Sequence, residues 1–340
     1  MTKDNEVYAF GANYSGTLGI GNIGAVEVPV LIKKLSHKKI NQFYCGNGFM
    51  FAKSKDNKVY CWGKNNLAQL GRGFESKYSK PVRNDFLSSF DIMDITCGRN
   101  HSLALTSNGD VYGWGDNECG QVGCGSGARI ITLPTRIEIF LKIKSISCGD
   151  YHSLALTQGR SVFSWGKNDY GQLGEFWVDK KNAPSNIIDN NIISIASNHN
   201  NSYLLSKDGI LIVHGQIVRA FNTSTSQNFA KLPGLSPDSC ICATNDLMIA
   251  ITNETVYELR RNEIPIIKLG GHHFTYNHHT INTHNMTHRP FHIINYEKTL
   301  QLGSGSFGNV FKCRDISSGN QFFAVKVLNN QGNYNYFHKF

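Results

Sequence analysis

A chain of 340 residues with 40% hydrophobic residues and a formal net charge of +9 can bury a proper core in one large domain or two ordinary ones. Its 33 glycines, 8 prolines and lack of a long run of Ala, Glu, Leu and Lys weigh against a helical bundle and favour short strands joined by tight turns. No window approaches the roughly eighteen uninterrupted apolar residues of a membrane span. The opening MTKDNEVYAF lacks the basic start and apolar run of a signal peptide, so the nine cysteines are read as reduced thiols inside a cell, in the cytoplasm or nucleus. The densest basic group, Lys33, Lys34, Lys38 and Lys39 in KKLSHKK, reads as a solvated loop, and neither nucleic acid nor a membrane is expected as a partner.

In chain order, the first elements repeat. VYAFGANYSGTLG, VYCWGKNNLAQLG, VYGWGDNECGQVG and VFSWGKNDYGQLG align with Gly11, Gly63, Gly115 and Gly166 in register, at steps of 52, 52 and 51. Pro29, Pro81, Pro134, Pro184 and Pro233 keep the same step, as do Gly46, Gly98 and Gly149. Within one unit, His101–Thr106 and Val111–Gly115 alternate as strands, and Asn108-Gly109 is expected to turn between them as a two-residue hairpin. Trp62, Trp114 and Trp165 each supply a large apolar surface to lie between sheets, and each Gly-Gln-Leu-Gly segment reads as a compact turn with its leucine inward. Later units decay: ILIVHGQIV keeps Gly215 in register, TVYELRRN keeps only a strand near Tyr257, and IIKLGGHHF is a shortened echo.

A unit of this kind leaves a hydrophobic sheet face open, so units must stack, and strand-only units of this length stack in a ring. The expected fold is therefore all-β, a β-propeller of about 50-residue four-stranded repeats with five to seven blades, over residues 1–275. CGRNHSLALTSNGDVYGWGDNECGQVG and CGDYHSLALTQGRSVFSWGKNDYGQLG resemble the repeat of the regulator of chromosome condensation family. That resemblance implies a protein partner on a propeller face, and it brings with it a small GTPase of the Ran type as an alternative partner whose nucleotide the chain would exchange. The near-equal length of the first four units leaves no room for the long inserted wedge that exchange would use.

His101 and His152 recur with the period of the scaffold, which reads as buried imidazoles bonding the next turn. Cys45, Cys97 and Cys148, each one residue before a repeated glycine, read as small buried thiols. No metal site is expected from them, because ligands must converge on one point and these are spread around a ring. Cys240 and Cys242 are too close together for a Cys-x-x-Cys pair. Seven of the thirteen histidines lie between His272 and His292, in HHFTYNHHTINTHNMTHRPFH; their spacing is irregular and Asn and Thr fill the gaps, so residues 276–295 read as a polar linker.

Residues 296–340 change character. LGSGSFGNVFKCRDISSGNQFFAVK carries Gly303, Gly305, Gly308 and Val310 as G-x-G-x-x-G-x-V between two strands, a turn whose bare backbone can lie over nucleotide phosphates. A further turn is expected at Ser318-Gly319, and Ala324-Val325-Lys326 follows. These residues resemble the opening of a eukaryotic Ser/Thr protein kinase domain. The resemblance implies ATP bound by Leu302, Gly303, Ser304, Gly305, Ser306, Phe307, Gly308, Val310, Ala324 and Lys326, with Lys326 on the α and β phosphates. The whole then reads as a signalling protein, an interaction propeller joined to the ATP-binding front of a kinase. The His-Arg-Asp loop, the Asp-Phe-Gly magnesium site and the helix glutamate are not encoded in this sequence. No catalytic residue is assigned, phosphoryl transfer is not expected from the chain as given, and magnesium would enter only with those missing parts. Three short strands are expected here, too few to stand alone, as at the front of a longer protein.

Overall fold

The computed structural model describes residues 5–73, 78–175, 177–188, 190–216, 227–231, 239–243, 247–251, 256–260, 267–268, 296–305, 308–315, 322–328 and 336–339. One compact unit spans Asp4–Asn285 and a second contains Met286–Phe340.

The first unit opens with an antiparallel pair, β1 (Tyr8–Gly11) and β2 (Val26–Leu31). Five four-stranded sheets follow, each an antiparallel meander in chain order. The first contains β3 (Ile40–Cys45), β4 (Phe49–Ser54), β5 (Val59–Gly63) and β6 (Tyr78–Arg83); the second β7 (Ile92–Cys97), β8 (His101–Thr106), β9 (Val111–Asp116) and β10 (Ile130–Arg136). The third contains β11 (Ile143–Cys148), β12 (His152–Thr157), β13 (Val162–Lys167) and β14 (Lys180–Ile188), and the fourth β15 (Ile192–Asn198), β16 (Asn201–Ser206), β17 (Ile210–Gly215) and β18 (Gln227–Lys231). The fifth is β19 (Cys240–Ala243), β20 (Leu247–Ile251), β21 (Val256–Arg260) and β22 (Ile267–Lys268), so the decayed unit around Tyr257 still forms a complete sheet. First strands of successive sheets adjoin one another, as β3 with β7, β7 with β11 and β11 with β15. These are the blades of a β-propeller.

Alternating strand direction sorts the connections onto two ends. The hairpins β4–β5, β8–β9, β12–β13 and β16–β17 share one end with the segments that cross from sheet to sheet; this is the crossover end. The short turns β3–β4, β7–β8, β11–β12 and β15–β16 share the other, the loop end, with the long segments that precede β6, β10 and β14.

The hairpin at residues 106–110 differs from the expected two-residue turn. Thr106 N–H donates to the Asp110 carbonyl and Gly109 N–H to the Thr106 carbonyl, enclosing three residues, of which only Gly109 is left-handed, at φ +78°. A type I turn followed by one left-handed residue closes a three-residue loop, whereas the two-residue form needs positive φ at both positions. The equivalent left-handed residues are Asn57 at φ 59°, Arg160 at φ 69° and Gly209 at φ 85°. Arginine is the costly choice of the four, since its Cβ crowds the backbone there. Arg160→Gly is expected to raise stability by about 0.5–1 kcal/mol, read as a higher urea midpoint; an unchanged or lower midpoint would refute this.

The blades are joined by a recurring hydrogen-bond motif. Ser102 Oγ donates to the Gln69 carbonyl at 3.0 Å, Ser153 Oγ to Gln121 O at 2.8 Å and Ser202 Oγ to Gln172 O at 2.7 Å. Trp114 Nε1–H reaches Gln69 O at 2.8 Å and Trp165 Nε1–H reaches Gln121 O at 2.9 Å, so one carbonyl of each loop receives both donors. His101 Nε2 lies 3.0 Å from Ser153 Oγ and His152 Nε2 2.9 Å from Ser202 Oγ. Each serine spends its proton on the glutamine carbonyl, so the imidazole must donate from Nε2, which fixes the tautomer. The histidines thus bond the serine of the next blade rather than its turn, because Ser153 on β12 and Ser202 on β16 lie within hydrogen-bond reach of Nε2.

Both faces of β8 and β12 are buried from first residue to last. Trp62, Trp114 and Trp165 are at most 1% exposed, and Trp114 meets Phe51 edge to face at 5.9 Å. Leu70, Val122 and Leu173 are the inward residues of the loop-end turns. Asn65, Asn117 and Asn168 each accept from the N–H of those residues through Oδ1, which closes each turn. Gly115, at φ +102°, shows why glycine follows each tryptophan: an added Cβ would stand 2.6 Å from Asn100 O. The thiols are less uniform than their spacing suggests. Cys148 is buried, Cys97 is intermediate and Cys45 is exposed, because each ends its strand at the mouth of the loop end and the neighbours there differ. None of the eight described cysteines is paired.

The second unit holds an antiparallel sheet of β23 (Tyr296–Gly305), β24 (Gly308–Asp315), β25 (Phe322–Leu328) and β26 (Tyr336–Lys339). A fourth strand therefore joins the three expected, because the chain after Leu328 returns along β25 with Tyr336 opposite Leu328. The Ser318-Gly319 turn and the histidine-rich tract of residues 272–292 lie outside the described residues.

Candidate functional site

On a scaffold whose repeated positions are occupied by packing, the informative positions are those where the backbone repeats and the side chain does not. At the loop end, the β7–β8, β11–β12 and β15–β16 turns carry Arg99-Asn100, Asp150-Tyr151 and His199-Asn200 at the same two places. Backbone bonds tie these turns into a chain: Arg99 N–H donates to Asp150 O at 3.1 Å and Asp150 N–H to His199 O at 2.8 Å.

The side chains follow that path. Arg99 Cζ lies 5.8 Å from the centroid of the Tyr151 ring, and Lys167 Nζ, from the end of β13, lies 5.6 Å from it. Asp150 Oδ2 and His199 Nδ1 meet at 2.9 Å, both partly exposed. Lys167 also pairs with Asp169 at 2.7 Å, and that hydrogen bond holds its ammonium above the usual lysine range. One blade back, Lys64 Nζ donates to Asn100 Oδ1 at 3.1 Å. Asp116, at the end of β9, is pushed up by burial. The result is a connected patch of two cations on one aromatic ring beside an Asp–His pair. It offers hydrogen-bond donors, acceptors and an aromatic face, and no nucleophile with an activating base.

His101 and His152 are buried beneath this surface with pKa values lowered by burial to about 3 and about 4, so they serve the scaffold. Among the described residues no three His, Cys, Asp or Glu side chains are grouped as a metal site needs. Sequence reading did not single out Arg99, Asp150, Tyr151, Lys167 or His199, although all but Lys167, which repeats Lys64, break the repeat at a fixed place. Of the residues expected from the sequence to contact a nucleotide, Leu302, Gly303, Ser304 and Gly305 lie on β23, Gly308 and Val310 on β24, and Ala324 and Lys326 on β25. The register sets Gly303 opposite Val310, Gly305 opposite Gly308 and Val310 opposite Lys326. Ser306 and Phe307 lie outside the described residues.

Four-stranded repeats in succession, closed blade to blade through conserved-position bonds and topped by divergent turns, define a repeat propeller. Residues 1–220 match the sequence profile of the RCC1-like domain, and the chain belongs to that family. It is 33% identical over 226 residues to the human E3 ubiquitin-protein ligase HERC2, covering 64% of this chain and 5% of that protein. It is 34% identical over 175 residues to the ultraviolet-B receptor UVR8 of Arabidopsis thaliana, covering 51% and 40%. The chain therefore spans less than half the length of either relative. The crystal structure of human WBSCR16 shares the fold at a TM-score of 0.63 and 23% identity, covering 75% of this chain and 74% of that one.

Proposed function

We propose that the chain is a protein-docking propeller of the cell interior, cytoplasmic or nuclear, and that its loop end holds a partner protein through Arg99, Tyr151 and Lys167 beside the Asp150–His199 pair. The observation that carries this reading is that Arg99, Asp150, Tyr151 and His199, which differ from turn to turn, meet with Lys167 in one connected patch. Arginine and tyrosine are the residue types that most often dominate binding energy at protein interfaces. The test is affinity capture with the whole chain, followed by measured affinity for the captured protein. Arg99→Ala and Tyr151→Ala are each expected to weaken that affinity by roughly 30-fold, with unfolding unchanged. Partners that bind both variants as tightly as the parent would remove the loop end from consideration.

A second reading, a nucleotide exchange factor for a Ran-type GTPase, draws on membership of the family. Accelerated release of labelled GDP from such a GTPase on mixing would support it. ATP contact by the glycine-rich hairpin and Lys326, as part of a signalling kinase front, is proposed on the sequence pattern. The hairpin register of β23 with β24 accords with it. A chain that binds no ATP analogue removes that part of the proposal.

A further inference from the structure

The crossover end is unlike the loop end. Residues 32–39, which lead from β2 to β3, form a built loop: Ile32 and Leu35 are 3% and 0% exposed and plug it from below. The N–H groups of Leu35 and Lys38 donate to Ile32 O and Leu35 O, and His37 and Lys39 take left-handed φ of 58° and 51°. Lys33, Lys34, Lys38 and Lys39 are all exposed as a result. Lys55 in the β4–β5 hairpin is exposed as well, and its N–H bonds Lys39 O at 3.0 Å, which joins the two segments. None of these five lysines is in an ion pair among the described residues.

The crossover from β10 to β11 ends at the same end of the sheets. Ile137, 3% exposed, anchors it, yet Phe140 and Leu141 stand at its tip, 96% and 50% exposed, flanked by exposed Lys142 and Lys144. Elsewhere at this end aromatic rings stack on one another: Phe86, itself 37% exposed, and the partly buried Phe90 pack on Tyr112 with ring centroids 6.1 and 4.9 Å away. Among the described residues Phe140 makes no such ring contact. Lys142 is shared with Asp110 at 3.5 Å, whereas Lys144 has no ion-pair partner among the described residues.

We propose that the crossover end docks on an anionic lipid surface. The lysine loop with Lys55 faces the charged headgroups, and Phe140 and Leu141 enter the interfacial layer. The loop of residues 32–39 carries lysines and no arginine, and Arg83 and Arg136 at this end are paired with Asp85 and Asp110. Lysines of this kind recognise charge density rather than a fixed bidentate acceptor. Exposed apolar tips beside them gain from acyl chains and gain nothing from nucleic-acid phosphates. Loop tips gathered at one end of antiparallel sheets suit an extended surface better than a peptide, which seeks a groove or a sheet edge. Peripheral docking needs no spanning segment, so the absence of one in the sequence does not oppose it.

The experiment is flotation of the whole chain with vesicles of phosphatidylcholine alone and of phosphatidylcholine mixed with phosphatidylserine, in low and high salt. Binding is expected only to the phosphatidylserine vesicles and to weaken with salt. Replacing Lys33, Lys34, Lys38 and Lys39 together by Glu should weaken it by roughly 10²- to 10³-fold. Phe140→Ser with Leu141→Ser should weaken it about tenfold, less sensitively to salt. All six positions are exposed, and an unchanged unfolding midpoint will show that each variant folds. The proposal is overturned if neither vesicle binds, if both bind alike, or if the lysine variant loses affinity for a DNA duplex while vesicle binding stays the same.

Discussion

Lowering the pH from about 6.5 to about 5 is expected to cost the propeller several kcal/mol, far more than surface charge alone would, through three buried imidazoles. His101, His152 and His214 are at most 4% exposed, and burial lowers their pKa values to about 3, about 4 and about 4. In the unfolded chain each titrates near about 6.5. Between those limits the unfolded state binds more protons than the folded one, so stability rises with pH across the window. It is complete above the unfolded value and is lost as pH falls towards the folded values. Each histidine gives up about 2 kcal/mol by pH about 5, and three together approach the net stability of an ordinary domain. Asp116, raised by burial, acts in the opposite sense and offsets part of the loss at the acid end. Urea midpoints measured across this range should fall steeply with acid, and His214→Phe should flatten the slope by about one proton's worth. A midpoint that stays level from neutral pH to about 5 would contradict the burial argument.

The same imidazoles show how much of the molecule can be read from its letters. The period places every sheet of the first four units, because the tryptophan, the following glycine and the loop-end leucine each answer to a packing demand that recurs blade by blade. What the period cannot give is the partner of a repeated group. His101 finds Ser153, 52 positions away, and only stacking of one blade on the next creates that pair. The fifth sheet, β19 to β22, was legible only as a strand near Tyr257 and a shortened echo in IIKLGGHHF, since hydrogen bonding between backbones tolerates the loss of the side-chain signature. The loop-end patch stayed hidden for a related reason. Arg99 and Tyr151 occupy turns that look interchangeable in sequence, and their proximity arises because Arg99 N–H bonds Asp150 O across two blades. At the crossover end the lysines were visible as a cluster, but the outward Phe140 was not, because nothing in RIEIFLK says which apolar residue turns inward; the fold buries Ile137 and exposes Phe140.

Trp165→Ala is expected to destabilise the protein by about 3–5 kcal/mol, and His214→Ala by about 1 kcal/mol or less, although the two residues hold the same place in successive blades. Trp165 is fully buried, lies against Gly123 and donates from Nε1 to Gln121 O at 2.9 Å. Removing it opens a cavity in the contact between blades and takes one donor from that carbonyl, leaving Ser153 alone on it. At the next position, among the described residues, Gln172 O receives only Ser202, His214 does not bond it, and neither ring nitrogen of His214 has a hydrogen-bond partner. A buried imidazole without partners costs free energy that its packing must offset, so truncating it recovers part of what it loses. Urea unfolding of both variants at neutral pH tests the difference. Equal losses would mean that this position contributes through volume alone, and that the tryptophan bond to the loop carbonyl adds nothing to holding one blade on the next.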